Sequence, residues 1–164
     1  MGTVELHDDV RRALDKYKIR YEVMECDPEV ADTAAFCERY GYEPGQSANT
    51  IIVASKGEDP KYAACVMLAT TRLDVNKKVC QLLGVKRASF ASAEQTIELT
   101  GMMIGGVVAV GIEDIPIYVD STVLEQKEVV MGGGNRSSKL LLNPQELKKL
   151  PNVGVVDALA KPKV

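Results

Sequence analysis

The chain has 164 residues, of which 46% are apolar and 26% charged, a composition typical of a folded globular protein and too apolar for a disordered one. Its 20 Lys and Arg residues against 23 Asp and Glu residues give a net charge of −3, which excludes attraction of the whole molecule to nucleic acid. We therefore expect one domain over residues 1–164, in which any RNA contact is local.

The predicted elements begin with an amphipathic helix over residues 4–17, followed by a half-buried strand over residues 19–24. A second helix is expected over residues 30–40, with Gly41 placed to end it in the left-handed conformation. Two β-rich runs at residues 50–54 and 62–69 then flank a turn-forming segment. This arrangement predicts a β-hairpin.

Capping signals mark the helices in the middle of the chain. Asp74 is a good N-cap, and after a short strand over residues 88–91, Ser92 and Gln95 form a capping box for a helix that Gly101 ends. The remaining predicted elements are strands at residues 107–110, 115–119, 127–131 and 139–142 and a short helix at residues 143–150.

Several consecutive strands are joined by links too short for parallel crossovers, so the sheet must be mixed and largely antiparallel. The fold class is therefore α+β, with six or more strands and helices packed outside. We expect the sheet to be strongly curled or barrel-like, because closure removes exposed edges.

The sequence shows no transmembrane segment and no apolar signal core, and we expect a cytoplasmic protein. The four cysteines are widely spaced without a CxxC pair, which predicts reduced core thiols and no metal site. Cys37 at a helix end is the one candidate for a reactive thiol, but His7 is the only histidine available to activate it. No cofactor is implied.

Six of the thirteen glycines fall into two clusters at strand ends, one at residues 101–106 and one at residues 132–134. Glycines at such places let backbone N–H groups point into one concavity, where they can hold a carboxylate, a phosphate or a developing oxyanion. Tight turns or bulges are the simpler interpretation. Arg136 and Lys139 follow the second cluster and could meet phosphates if they flank such a concavity.

Phosphate-loop, dinucleotide-binding and nucleophile-elbow motifs are absent from the sequence, which removes the main support for those enzyme classes. Instead, an ordered set of segments resembles the YbaK family. These segments are residues 31–41, 47–54, 64–70, 76–78, 83–86, 99–101, 105–106, 111, 130–136 and 143–147. The similarity spans residues 3–150, and the family comprises free-standing aminoacyl-tRNA deacylases and the editing insertion of bacterial prolyl-tRNA synthetases.

This resemblance implies a barrel-like α+β fold and hydrolysis of tRNA mischarged with a small amino acid such as Cys, Ala or Ser. Family members use no conventional nucleophile; backbone amides bind the substrate carbonyl while water or the substrate's own groups attack the ester. By position, the implied catalytic residues are Asn49, Gly105, Gly106, Gly133 and Gly134, and the implied substrate-binding residues are Thr50, Val108, Ala109, Gly111, Arg136 and Ser137.

The sequence departs from the family pattern at three places, one of them a pair of residues. Asn49 stands where the family typically has a lysine that is needed for activity, and an amide cannot supply its charge. Val108 and Ala109 replace a Ser-Pro pair, and Ser137 replaces a glycine. We expect a deacylase-like trans-editing protein with weak or altered activity, or alternatively a non-catalytic module that binds aminoacyl-tRNA or a small molecule.

The expected partner is the 3′ terminus of an aminoacyl-tRNA, with no DNA and no membrane. The sequence leaves open whether the protein forms a homodimer, and it does not identify the amino acid or the tRNA. Selectivity of that kind depends on pocket dimensions at the level of single methylene groups.

Overall fold

The computed structural model describes residues 5–163, so residue 4 of the first predicted helix lies outside the described part. The α-helices are α1 (Asp8–Lys16), α2 (Thr33–Tyr40), α3 (Cys80–Leu83), α4 (Ala93–Thr100) and α5 (Ser121–Leu124). Short 3₁₀ segments occupy Pro28–Val30, Pro44–Gln46 and Pro144–Lys149, and a π-helical turn, Val75–Val79, precedes α3. No helix among the described residues is long and apolar enough to cross a membrane.

The described residues form ten strands in three sheets. The strands are β1 (Glu22–Glu25), β2 (Ala48–Ser55), β3 (Tyr62–Leu68), β4 (Thr71–Leu73), β5 (Ala88–Phe90), β6 (Ile117–Asp120), β7 (Val129–Gly132), β8 (Ser138–Leu142), β9 (Val153–Val156) and β10 (Ala160–Pro162). The largest sheet has the order β5-β2-β3-β6-β9, and the others have the orders β1-β8-β7 and β10-β4. Five strand pairings are antiparallel and two are parallel, which confirms a mixed α+β fold.

The predicted barrel and the predicted single sheet of six or more strands are not found among the described residues. The largest sheet has five strands, and the three-stranded sheet meets it at the isolated parallel bridge between Ser47 and Val130. One bridge does not continue a hydrogen-bonded ladder, so the sheets abut without closing.

The capping predictions are confirmed. Asp74 accepts a hydrogen bond from the Lys77 amide at 3.2 Å, and Ser92 and Gln95 form the reciprocal capping box of α4. Gly41 and Gly101 end α2 and α4 with φ of 77° and 68°, the left-handed conformation that glycine adopts without a steric penalty. Local chemistry therefore determines where these helices begin and end.

The predicted hairpin is formed by β2 and β3, which pair along seven residues of each strand. Along β3, Ala64 and Val66 face one apolar cluster while Ala63 and Cys65 face another, and all four are fully buried. The sheet is thus covered on both faces, which explains why β3 is apolar throughout and not only at alternate positions.

The strand predicted over residues 107–110 was wrong, because the structure has loop and turns there. Val108, Ala109 and Val110 are fully buried, and the Ala109 amide donates to the Thr50 hydroxyl at 3.1 Å, not to a neighbouring strand. This segment is apolar because it threads through the core. Its composition alone does not distinguish that role from a place in a sheet.

A buried carboxylate fixes the C-terminal segment. Asp120, at the end of β6, is 1% exposed, and one of its oxygens accepts from the amides of Leu159 at 3.0 Å and Ala160 at 3.4 Å. The other oxygen accepts from the Thr122 hydroxyl. These bonds satisfy the carboxylate and hold the chain that leads into β10.

Asp120→Ala should lower the free energy of unfolding by about 1–3 kcal/mol, because it leaves buried amides without an acceptor. Asp157→Ala is the matched control, since Asp157 is exposed in the same C-terminal segment and should change stability by no more than about 0.5 kcal/mol. Urea denaturation measures both values. Equal losses in the two variants would contradict a role for the Asp120 contacts.

Candidate functional site

A cavity of about 310 Å³ opens between β2, β7 and the loop that follows α4. We call it the glycine-loop cavity. Its lining residues are Asp32, Thr33, Phe36, Ser47, Ala48, Asn49, Thr50, Ile51, Ile52, Phe90, Ala91, Thr96, Ile104, Gly105, Val107, Val130, Met131, Gly132 and Lys139. Apolar and polar groups contribute about equally to its walls, and polar groups placed among apolar ones fix the orientation of a bound small molecule.

The two glycine clusters lie against each other beside this cavity. The Gly134 amide donates to the Gly106 carbonyl at 2.7 Å, and the Met103 amide donates to the Gly134 carbonyl at 3.0 Å. A Cβ atom on Gly106 would lie 2.0 Å from the Asn135 carbonyl oxygen, and one on Gly132 would lie 2.4 Å from that of Gly106. These positions need glycine because two backbones approach closely.

The same contacts engage two of the amides that were expected to bind substrate. The Gly106 amide donates to the Met103 carbonyl at 2.9 Å and the Gly134 amide to Gly106, so neither is a free donor. The Cα of Gly106 faces the backbone of Asn135, while Gly133 packs against Ser138 and Gly134 against His7 and Val10. Gly105 and Gly132, by contrast, line the cavity. The carbonyl-binding role of the three packed glycines stays a prediction.

Asn49 and Thr50 both line the cavity, side by side on β2. The Thr33 hydroxyl donates to the Asn49 side-chain oxygen at 2.8 Å, which leaves the amide NH₂ group as a donor. The Thr50 hydroxyl accepts from the Ala109 amide at 3.1 Å and so connects β2 to the buried loop. Of these two side chains, Asn49 retains the larger capacity to donate to a ligand.

Five of the six expected substrate-binding residues, all but Thr50, are not among those lining the cavity. Val108 and Ala109 are completely buried in the core, and Gly111 lines a different cavity beside α1. Ser137 is exposed, and both its amide and its hydroxyl donate to the Asn135 side-chain oxygen. Their binding roles therefore stay predictions.

Arg136 braces one side of the site without lining the cavity. Its Nε donates to the Pro28 carbonyl and its Nη1 to the Ile104 carbonyl, each at 2.9 Å. The same Nη1 lies 3.3 Å from a carboxylate oxygen of Asp32, a cavity residue. A planar guanidinium with fixed donors suits this connection of three segments.

Lys139 is a cavity residue that sequence reasoning noted only as a neighbour of the second glycine cluster. It is 6% exposed, and its Nζ donates to the Ala31 carbonyl at 2.6 Å and the Gly105 carbonyl at 3.1 Å. The Nζ also lies 5.3 Å from the centroid of the Phe36 ring. Burial lowers the pKa of the Lys139 ammonium, an effect that the nearby Cys26 and Asp32 oppose.

Two exposed apolar side chains contribute to the cavity wall and reach solvent. Phe90, at the end of β5, is 56% exposed, and Ile104, in the first glycine loop, is 44% exposed. Lone exposed apolar residues are ordinary, but a flat aromatic ring beside a cavity offers a stacking surface for a base.

The cysteines are free and buried, as predicted. Burial raises the pKa of the Cys65 thiol to about 12, and burial also raises the pKa values of Cys26 and Cys37. A buried thiol with a raised pKa is a poor nucleophile, which argues against a reactive Cys37. Within residues 5–163 no group of three potential ligands could hold a metal ion.

Comparison with known proteins gives one family and several related structures. Residues 27–150 match the model of a family described as the aminoacyl-tRNA editing domain. The uncharacterized protein YwhH of Bacillus subtilis (strain 168) is 28% identical over 141 residues, which cover 85% of this chain and 87% of YwhH.

Two crystal structures share the fold over almost the whole chain. The hypothetical protein APE2540 matches with a TM-score of 0.82 and 25% identity, covering 94% of this chain and 100% of that one. A candidate trans-editing enzyme for prolyl-tRNA synthetase matches with a TM-score of 0.78 and 27% identity, covering 97% of this chain and 100% of that one.

Gly106→Ala should lower the free energy of unfolding by about 1–3 kcal/mol, because the added methyl group forces the two loops apart. Gly45→Ala is the matched control, since neither glycine has a positive φ and a Cβ on Gly45 would meet only the Thr70 methyl group at 3.9 Å. Thermal or urea unfolding compares the two variants. A Gly106→Ala protein as stable as the control would disprove the close packing of the loops.

Proposed function

The chain belongs to the aminoacyl-tRNA editing domain family, and on that basis we propose that it removes a small, wrongly attached amino acid from tRNA by hydrolysing the ester bond. It would act in trans, in the cytoplasm. The structure described as a candidate trans-editing enzyme for prolyl-tRNA synthetase supports this proposal, because that similarity extends over 97% of the chain.

The observation that carries the proposal is the size and character of the glycine-loop cavity. Its volume of about 310 Å³ is at the lower end of the range of about 300–1,000 Å³ for ligand pockets. Phe36 and Val130 supply apolar walls, while Thr33 and Asn49 supply hydrogen-bonding groups. A small aminoacyl group, apolar in its side chain and polar at its ester, fits this division.

The reaction requires no nucleophile from the protein. The oxygen of a water molecule forms a bond to the ester carbonyl carbon, the bond from that carbon to the ribose oxygen breaks, and the ribose oxygen takes up a proton that the water molecule has given up. The Asn49 NH₂ group would donate to the carbonyl oxygen or to the neighbouring ribose hydroxyl, since its own oxygen is occupied by Thr33. Binding the ester beside such a donor lowers the barrier by positioning and charge stabilisation.

Exposed apolar residues beside the cavity would hold the terminal adenosine. Phe90 offers an aromatic face for its base, and Ile104 would contact the same nucleoside from the first glycine loop. Stacking of this kind is worth about 1–3 kcal/mol per base and is tolerant of sequence. The binding would thus be local, which suits a protein with a net charge of −3.

A second candidate function is a module that binds aminoacyl-tRNA or a small molecule without hydrolysing it. Two observations favour it: Asn49 carries no charge, and the amides of Gly106 and Gly134 already donate within the protein. In that case the cavity is retained, while the charge at position 49 and the free loop amides that would stabilise an oxyanion are missing.

A panel of tRNAs mischarged with Ala, Cys or Ser separates the two functions. The unmodified protein should release the amino acid from at least one of them faster than spontaneous hydrolysis does. Binding of a nonhydrolysable 3′-amide analogue without release from any tRNA in the panel would support the binding module. If the protein neither releases an amino acid nor binds the analogue, both functions are contradicted.

Asn49→Ala should reduce kcat/KM on the best substrate by about two- to tenfold, the effect of losing one hydrogen bond worth about 0.5–1.5 kcal/mol. Asn76→Ala is the matched control, because Asn76 is exposed and is not among the residues that line the cavity. The two variants are compared in single-turnover deacylation at fixed pH. Equal rates for both would exclude a contact between Asn49 and the substrate.

A further inference from the structure

We propose that Lys139 is a catalytic residue, whose ammonium group binds the ester carbonyl oxygen and stabilises the negative charge that develops there. This inference rests on the proposed hydrolysis and adds to it the one charged donor that Asn49 cannot provide. The Lys139 side chain is nearly fully buried and yet lines the cavity.

The hydrogen bonds of Lys139 leave one donor for a ligand. An ammonium group carries three N–H donors, and two of them are used by the carbonyls of Ala31 and Gly105. Among the described residues no carboxylate oxygen lies within 4.0 Å of its Nζ. The charge is thus held by carbonyl oxygens and the face of Phe36, without neutralisation by an adjacent carboxylate.

The position of the ammonium follows from its two acceptors. Gly105 lines the cavity, and Ala31 directly precedes the cavity residue Asp32. Lys139 lies on β8, directly opposite Gly132 on β7, and Gly132 is another cavity residue. The Nζ is therefore fixed in the cavity wall by segments on both sides of it, and little reorganisation is needed when charge develops on a bound ester.

A purely structural clamp does not account for this lysine. Arg136 already connects the same two segments through the carbonyls of Pro28 and Ile104. Burying a second cation between them costs free energy that an apolar side chain of similar length would not. A buried charge that lines a cavity and has no carboxylate partner is typical of a functional group.

In the proposed step the ammonium carries out no proton transfer. Water adds to the carbonyl carbon, the carbonyl electron pair moves to the oxygen that faces Lys139, and the tetrahedral intermediate then collapses. Collapse breaks the bond to the ribose oxygen, which leaves with a proton that originated from the water molecule. Lys139 stays protonated throughout and acts by its charge and its hydrogen bond.

The test compares Lys139→Met with Lys61→Met in deacylation of the best substrate. Lys61 is the matched control, because its Nζ also donates to a backbone carbonyl, that of Leu83, and it does not line the cavity. Lys139→Met should reduce kcat by about 100- to 1,000-fold, the effect of removing one oxyanion-binding donor, with KM changed no more than about threefold. Lys61→Met should leave both values unchanged.

The pH profile separates a catalytic charge from a structural role. The wild-type rate, corrected for spontaneous hydrolysis, should fall as Lys139 loses its proton, below the ordinary lysine pKa of 10.5 because burial lowers the pKa of this group. Lys139→Arg keeps its charge and should lack this fall. A rate that instead rises with deprotonation of Lys139 would overturn the proposal.

A measurement without turnover keeps the two proposals distinguishable. In protein labelled with ¹⁵N-lysine, the Nζ signal of Lys139 is assigned by its absence from the spectrum of Lys139→Arg. This signal should shift when a 3′-amide alanyl-adenosine analogue is added. A shift without hydrolysis of any tRNA would support the contact and reject the deacylase function. Two results would overturn the role of Lys139. One is a folded Lys139→Met variant that hydrolyses the substrate as fast as the wild type, and the other is an Nζ signal that does not shift at a saturating concentration of the analogue.

Discussion

The close approach of the two glycine loops is the constraint on which the cavity depends. The bonds from the Gly134 amide to the Gly106 carbonyl and from the Met103 amide to the Gly134 carbonyl join the loop after α4 to the end of β7. Because Cβ atoms at Gly106 and Gly132 would lie within 2.4 Å of backbone atoms, only glycine permits this contact. The loops are therefore structural elements that place Gly105 and Gly132 in the cavity wall.

Side chains, more than backbone amides, then give the cavity its polarity. Thr33 orients the Asn49 amide, Arg136 braces the adjoining segments, and Lys139 brings a charge among apolar neighbours. A buried charge interacts more strongly with a developing oxyanion than an exposed one does, since water screens it less. This arrangement suggests how a member of the editing family can differ at position 49 and still present a cationic donor to an ester.

The sequence predicted the local features well because their causes are local. The capping box of Ser92 and Gln95, the left-handed Gly101 and the β2–β3 hairpin follow from residues close together in the chain. The strand predicted over residues 107–110 failed because burial, not ladder pairing, makes that segment apolar. Strands β4, β9 and β10 were not predicted, since short strands depend on partners distant in sequence.

For the site, the order of segments in the sequence was sufficient to identify the family. Of the eleven site residues that the resemblance implied, Asn49, Thr50 and Gly105 line the cavity and the other eight do not. Only the tertiary structure decided that Gly106 and Gly134 donate within the protein and that Lys139 lies in the cavity wall. Lys139 contacts Ala31 and Gly105, which are 108 and 34 residues away in the chain. The sequence does not indicate that this lysine is buried or which carbonyl groups accept its hydrogen bonds, because both depend on segments that meet only when the chain has folded.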